Sequence, residues 1–462
     1  MQHMSFQTSG IVAIMSLLLL HGSPARAATG QRVTTGAGAL PRPTAEQVRW
    51  QDYEIGIFFH YDMNAFKPGW DHRQYDDFPK PEVFNPTHFD MRQWMEVPKA
   101  LDAKYAVITA THGSGFMLWQ SDAYPYGMKQ TPWMAGKGDI VKEFVDGCRK
   151  IGVSPGIYCH MRVNGWWQVD HPGFVKRGQG GDDALQAKYA AAKIKQVKEL
   201  WGNYGPLSEI WFDGGMPDPK AGYDVLPYLK KLQPKAMVYG GGNAPGETIR
   251  WIGGESGKSI YPCWATGDGI FDDKPGSPEG KSWCPGEADV DMLGGLWNWS
   301  PKADASLQSL AQLMEIYYGS VGNNCNLIIN AAPGPDGLIS EAQLKRFREF
   351  GDEIRRRFGK SLAETSGKGN VLEIVLKQPT KIDHVMLMEQ IAEGERVREY
   401  VVEGKHGDAW QKIGGGTCIG HKRIEQLTPV EVSAIRLKVI TSIGTPLIRR
   451  FAVFNTSAKP GK

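Results

Sequence analysis

The chain is expected to be an α/β protein: a (β/α)8-type TIM barrel followed by a C-terminal antiparallel β-sandwich. Two patterns carry most of that expectation. Short apolar runs alternate with amphipathic helical stretches across roughly residues 45–360, which implies parallel strands covered by helices. From about Gly367 onward strands follow one another with turn residues between them and no helix, the pattern of a sandwich. A barrel is favoured over an open doubly wound sheet because no glycine-rich phosphate-binding turn follows the first strand.

The elements are read in chain order. Residues 1–27 have the form of a signal peptide, with an apolar run from Ile11 to Leu20 and an A-x-A-like site at Ala25-Arg26-Ala27. The run is too short to span a bilayer, and an exported protein, periplasmic or extracellular, is expected. Residues 28–44 are rich in Gly, Thr and Pro and read as a flexible leader. Strand-like runs then fall at 55–60, 105–110, 153–159, 208–213, 236–240, 249–253 and 325–330. Helical periodicity marks 91–102, 138–151, 183–203, 304–318 and 341–357. The sandwich is placed at 366–456, with supporting the barrel as its first expected role and sugar binding as its second.

Composition narrows the function classes. With 53 basic and 50 acidic residues in 462, the net charge of +3 gives no reason to expect nucleic acid or an anionic membrane as partner. No later segment is long and apolar enough to cross a membrane. The 15 tryptophans supply flat apolar faces with polar edges, suited both to stacking on sugars and to filling a barrel. Six cysteines lack metal-site or redox spacing. Cys263 and Cys284 share one loop-rich stretch and are candidates for pairing, whereas Cys148, Cys159 and Cys325 sit in apolar contexts that suit buried thiols.

The most informative stretch is Ser208-Glu209-Ile210-Trp211-Phe212-Asp213-Gly214-Gly215. It reads as an apolar strand delivering one carboxylate, Asp213, into a glycine turn. An Asp there commonly serves only as an Asx-turn or helix cap. At the C-terminal end of a barrel strand it stands where chemistry is done. His60, His112, His160 and Glu255 likewise fall at or just beyond strand ends.

Other motifs occur in a fixed order around it: Gly56-Ile57-Phe58-Phe59-His60, Thr111-His112-Gly113-Ser114-Gly115-Phe116, Arg250-Trp251-Ile252-Gly253-Gly254-Glu255 and Trp283-Cys284-Pro285-Gly286-Glu287-Ala288-Asp289. Together with the Trp211-Phe212-Asp213-Gly214 element, this set resembles glycoside hydrolase family 29, the α-L-fucosidases. It looks closer to the branch acting on α-1,3/1,4-linked fucose. The resemblance covers roughly residues 45–360. It implies a retaining hydrolase of fucosylated glycans, with Asp213 as nucleophile and no cofactor or metal. Glu255 is the implied acid/base, with Glu287 the alternative, either for that role or for binding sugar hydroxyls. His60, Trp70, His112, Trp211 and Arg250 are implied sugar contacts. Trp251 and Trp264 are candidate apolar walls that would raise the pKa of the acid.

Departures from the family pattern leave the sugar open. The family's K-H-H-D reads Thr111-His112-Gly113-Ser114, and the Glu before Trp70 is Gly69. Each lost hydroxyl partner would cost about 1–3 kcal/mol unless replaced. His160, Arg162 and Asn164 are the candidate replacements, and sulfated fucose or L-galactose the alternative sugars. From a different class, a carbohydrate-binding protein on a decayed hydrolase barrel is disfavoured because both Asp213 and Glu255 remain. A metal-dependent hydrolase is disfavoured because no H-x-H or H-E-x-x-H spacing is present. The sequence leaves the oligomeric state open.

Overall fold

The computed structural model describes residues 32–33, 40–241, 248–267 and 274–457. The expected signal peptide and most of the expected leader lie outside them. Eight parallel strands close into a barrel. They are β1 (Ile55–Phe59), β2 (Tyr105–Thr111), β3 (Ser154–Cys159), β4 (Glu209–Trp211), β5 (Met237–Tyr239), β6 (Thr248–Trp251), β7 (Gly286–Asp291) and β8 (Cys325–Ala331). Each pairs with its successor, and β8 returns to β1 through Leu327 opposite Ile55.

The helices are α1 (Ala45–Tyr53), α2 (Met91–Trp94), α3 (Glu96–Leu101), α4 (Ile140–Lys150), α5 (Asp183–Gly202), α6 (Leu226–Leu232), α7 (Leu310–Gly319) and α8 (Glu341–Phe358). Among the described residues no helix lies between β6 and β7. Loop chain fills that stretch, including an antiparallel pair, Thr266–Gly267 with Ser282–Trp283.

Strand β7 is absent from the sequence expectation. Its Glu287, Asp289 and Asp291 alternate, and three carboxylates in six residues disguise a strand. The period of two sends Ala288 outward against Ile252, Cys263 and Cys325, and the carboxylates to the opposite face. Helix α1 was also not expected. Thr44 and Gln47 form a capping box at its start, and it delivers Trp50 to the aromatic cluster inside the barrel.

That interior is partly polar. Trp50 Nε1 donates to Glu209 Oε2 at 2.9 Å. Glu287 receives Tyr105 Oη at 2.6 Å and Trp211 Nε1 at 2.9 Å, one on each oxygen. Burial, reinforced by the neighbouring charge of Glu287, pushes Glu209 well above the usual carboxyl range. Glu287 is also raised by burial. Both shifts run in the direction that favours a proton on the pair over two bare charges in one apolar space.

The C-terminal domain contains β9 (Ala363–Lys368), β10 (Val371–Glu389), β11 (Val397–His406), β12 (Ala409–Gly416), β13 (Arg423–Ser442) and β14 (Leu447–Phe454). They form one antiparallel sheet in the order β9-β14-β10-β13-β11-β12. The sheet begins three residues before the expected boundary. Within the expected leader, Arg32–Val33 adds to it in parallel, opposite Thr441 and Ser442. The long strands β10 and β13 lose register between Val375 and Thr380 and again between Ile382 and His384. Such bulges bend a strand, and residues on both sides of them share one apolar cluster that includes Ile374, Ile382, Leu387 and Ile435.

This domain grips the barrel through buried and half-buried polar contacts. Asp52 accepts from His421 Nε2 at 2.9 Å and Arg449 Nη1 at 2.7 Å, and Lys422 reaches Glu54. Glu395 accepts the Ala265 amide at 3.1 Å. These are contacts of structural support. Cys263, a candidate for pairing with Cys284, is a free thiol whose carbonyl receives Cys418 Sγ at 3.0 Å.

Tyr105→Phe removes one of the two aromatic donors to Glu287 and leaves the ring in place. The expected loss is about 1–2 kcal/mol, read as a lower urea midpoint. An unchanged midpoint would show that the buried carboxyl does not depend on this donor.

Candidate active site

The strand ends build the site. Asp213 leaves β4 in a turn whose next residues, Gly214 and Gly215, take φ of 66° and 78°, the left-handed region that glycine enters freely. The turn presents the Asp213 side chain to the cleft, 40% exposed. Its Oδ2 accepts from Tyr158 Oη at 2.7 Å and lies 3.5 Å from His160 Nε2. Burial alone would raise this carboxyl. The His160 and His112 rings and the Tyr158 hydroxyl outweigh burial and hold it below the ordinary value, so Asp213 is ionised.

A column of rings aims the Tyr158 hydroxyl. Tyr239 stacks on Trp211 at 3.6 Å between centroids, Trp211 on Tyr158 at 5.6 Å, and Tyr158 on His112 at 5.4 Å. Hydrogen bonds also select imidazole tautomers. His160 Nδ1 accepts the Arg162 amide at 3.4 Å, which leaves its proton on Nε2, facing Asp213. His60 Nδ1 lies 2.8 Å from Asn330 Oδ1 and donates to it, leaving Nε2 as an acceptor. Burial depresses both rings from 6.5 to about 3, His60 further through its neighbour His112. Both are neutral at working pH and serve as hydrogen-bonding groups.

Glu255 comes from the loop after β6. Its φ of 64° follows Gly253 and Gly254 at 96° and 54°, so the loop reverses sharply. The Gly257 amide donates to Asp289 O at 3.0 Å, and Ser256 bridges Val290. These bonds pin the loop to β7. The exposed Glu255 carboxylate receives Trp297 Nε1 at 3.1 Å. A third carboxyl, Asp289, receives Trp251 Nε1 at 2.7 Å. Burial, with Glu255 and Glu287 nearby, raises Asp289 to about 8, so it retains its proton at neutral pH.

Asp213, Glu255, Asp289, His60, His112, Trp70 and Trp211 line one cavity of about 480 Å³, with Phe58, Trp297 and Trp299 as further apolar wall. Three other expected contacts lie elsewhere. Glu287 is fully buried beneath the cleft and both its oxygens are engaged by the barrel aromatics, so the structure corrects its expected place at the sugar. Arg250 is buried and donates to Trp264 O at 2.6 Å. Trp264 is not a wall of the cleft: it is buried, with Arg398 4.7 Å over its ring. His160 is not part of the lining but stands against Asp213. Of the suggested replacement groups, Arg162 donates to the Gly214 carbonyl and Asn164 to Tyr124 Oη at 2.9 Å.

Sequence reasoning did not single out Tyr158, Asp289, His72, Trp297 or Asn298. The Trp297-Asn298-Trp299 triplet was the available signal. Among the described residues, no group of three His, Cys, Asp or Glu side chains is arranged to hold a metal ion, and no helix is long and apolar enough to cross a membrane.

An ionised Asp213 beside neutral imidazoles, in an indole-walled cleft at the C-terminal end of the barrel, suits a glycoside hydrolase of the (β/α)8 class. The Alpha-L-fucosidase family profile matches residues 36–357, and the chain belongs to that family. Alpha-L-fucosidase 1 of Arabidopsis thaliana is 28% identical, with 90% of this chain and 88% of that protein aligned. The crystal structure of a Bacteroides thetaiotaomicron protein assigned as an α-L-fucosidase superposes with a TM-score of 0.84 at 38% identity, covering 90% of this chain and 99% of that one. A Ruminococcus gnavus family 29 fucosidase solved with fucose shares the fold, with a TM-score of 0.77 at 24% identity over 92% of this chain and 98% of that one.

The depressed imidazoles predict acid sensitivity. Between about pH 6.5 and 3 the unfolded chain protonates His60 and His160 while the native state does not. Stability therefore falls as pH drops through that window. Melting temperature measured from pH 7 to 4 should decline, and His160→Asn should flatten the decline.

Proposed function

We propose that the enzyme is a retaining exo-glycosidase that removes terminal α-L-fucosyl units, with Asp213 as nucleophile and Glu255 as acid/base. One observation carries this reading: an ionised Asp213 and an exposed Glu255 open into the same cleft, while Asp289 holds its proton there. Retention requires two carboxyls about 5–5.5 Å apart across the anomeric carbon. Asp213 attacks C1 as Glu255 protonates the leaving oxygen. Water activated by Glu255 then hydrolyses the fucosyl-enzyme ester. The neutral His60 and the His112 ring beside it in the cleft are suited to grip neighbouring hydroxyls. Buried polar atoms of Trp70, His72 and Asn298 have no partner among the described residues, as expected of walls made to hold a polyol.

The substrate is a fucosylated oligosaccharide or glycoconjugate, with α-1,3/1,4 linkages first. Sulfated fucose and L-galactose are the alternatives if plain fucosides are left untouched. An export signal in residues 1–27 supports a periplasmic or extracellular enzyme, and the N-terminus of the mature protein would test this directly.

Asp213→Ala should abolish turnover on fucosyl oligosaccharides while L-fucose binding remains measurable; preserved turnover would remove Asp213 from its role. Proton NMR of the first product should show the α-anomer, whereas initial β-fucose would mean inversion. Glu255→Ala should lower kcat about 10²–10⁴-fold on natural glycans, less on activated aryl fucosides, and azide should restore rate on the latter. If Asp289→Asn shows that pattern and Glu255→Ala does not, Asp289 is the acid. Glu287→Gln, if folded, should keep its turnover.

A further inference from the structure

We propose that His72 is a sugar-binding residue of the cleft, its imidazole occupying the wall space that a side chain at position 113 would otherwise fill. This rests on the fucosidase reading and adds a specificity-determining group to it. His72 comes from the loop after β1 and lines the same cavity as Asp213, Trp70 and His112. At the end of β2, Gly113 follows His112 directly. A Cβ built on Gly113 would stand 2.8 Å from His72 Nδ1 and 2.9 Å from its Cγ, closer than side chains approach. The loop after β3 makes the same accommodation, because a Cβ on Gly165 would lie 2.7 Å from the His72 carbonyl oxygen. Neither glycine has a positive φ, so conformation does not demand them. Space for His72 does.

Placed this way, the ring is charge-neutral and short of partners. Burial, then the neighbouring His112, depresses it to about 4. Its Nε2 is covered and has no hydrogen-bond partner among the described residues. An unpaired buried ring nitrogen is unfavourable, and a modest turn of the imidazole on a bound sugar would give it a hydroxyl. The next residue, Ser114, donates to Asp62, and Asp62 Oδ2 lies 3.9 Å from His112 Nδ1. The second imidazole and the carboxylate beside His112 thus come from the chain that follows β1, while positions 113 and 114 hold only Gly and Ser.

The test compares wild type, His72→Ala, His72→Gln and Gly113→Ala by calorimetric titration with L-fucose and by kinetics on a fucosyl trisaccharide. His72→Ala should weaken L-fucose binding and raise KM about tenfold, the effect of one lost hydroxyl partner, with a smaller change in kcat. His72→Gln should recover part of the loss. Gly113→Ala should weaken binding in the wild-type background, by displacing the ring, and add nothing once His72 is Ala. L-fucose affinity unchanged in a folded His72→Ala variant overturns the proposal, as does an equal Gly113→Ala effect in both backgrounds. Wild-type protein that does not bind L-fucose overturns the fucose reading itself, and with it the ligand assigned to His72.

Discussion

Burying carboxyl groups among aromatic rings inside a closed barrel is the constraint from which the site follows. Glu209 and Glu287 lie together in the barrel floor, beneath the indole and phenol donors of Trp50, Tyr105 and Trp211. Because a buried carboxyl left without donors is costly, these rings are held in single orientations. Trp211 is the link upward. Its Nε1 serves Glu287 below, while its face stacks on Tyr158, whose hydroxyl serves Asp213 above. The Asp213 carboxylate is oriented by a chain of contacts that begins in the core.

Strand β7 shows the same economy along its length. Its three inward carboxyls meet three environments. Glu287 is sealed among aromatics, Asp289 is one full pleat higher at the cleft with Trp251, and Asp291 caps the amide of Gly295 at 2.8 Å in the loop that carries Trp297. Trp297 in turn holds Glu255. The strand that looked least like a strand thus supports both candidate acids and the loop between them. The C-terminal domain completes the frame by clamping α1, the start of β1 and the loop after β6, where the described residues form no helix.

Much of this was legible in the chain. Asp213 and Glu255 could be read because a carboxyl beside paired glycines at a strand end is a local pattern, and His60 and His112 because each directly follows a mostly apolar strand run. Seven of the barrel strands and the change to an all-β domain were equally local, set by hydrophobic period and turn residues. What the sequence could not determine was distance across the barrel. Arg250, Trp264 and Glu287 carry chemistry-bearing side chains within motifs, yet tertiary packing turns Trp264 toward Arg398 of the second domain, ties Arg250 to the Trp264 carbonyl and seals Glu287 in the floor. Tyr158 and His72 lie in stretches with no such signal, Asp289 closes a motif that singled out Glu287 instead, and all three gain their places only when strands far apart in sequence close on one another. A side chain's type is written locally; whether it meets a sugar, an indole or another carboxyl depends on which strand stands opposite, and only the closed barrel decides that.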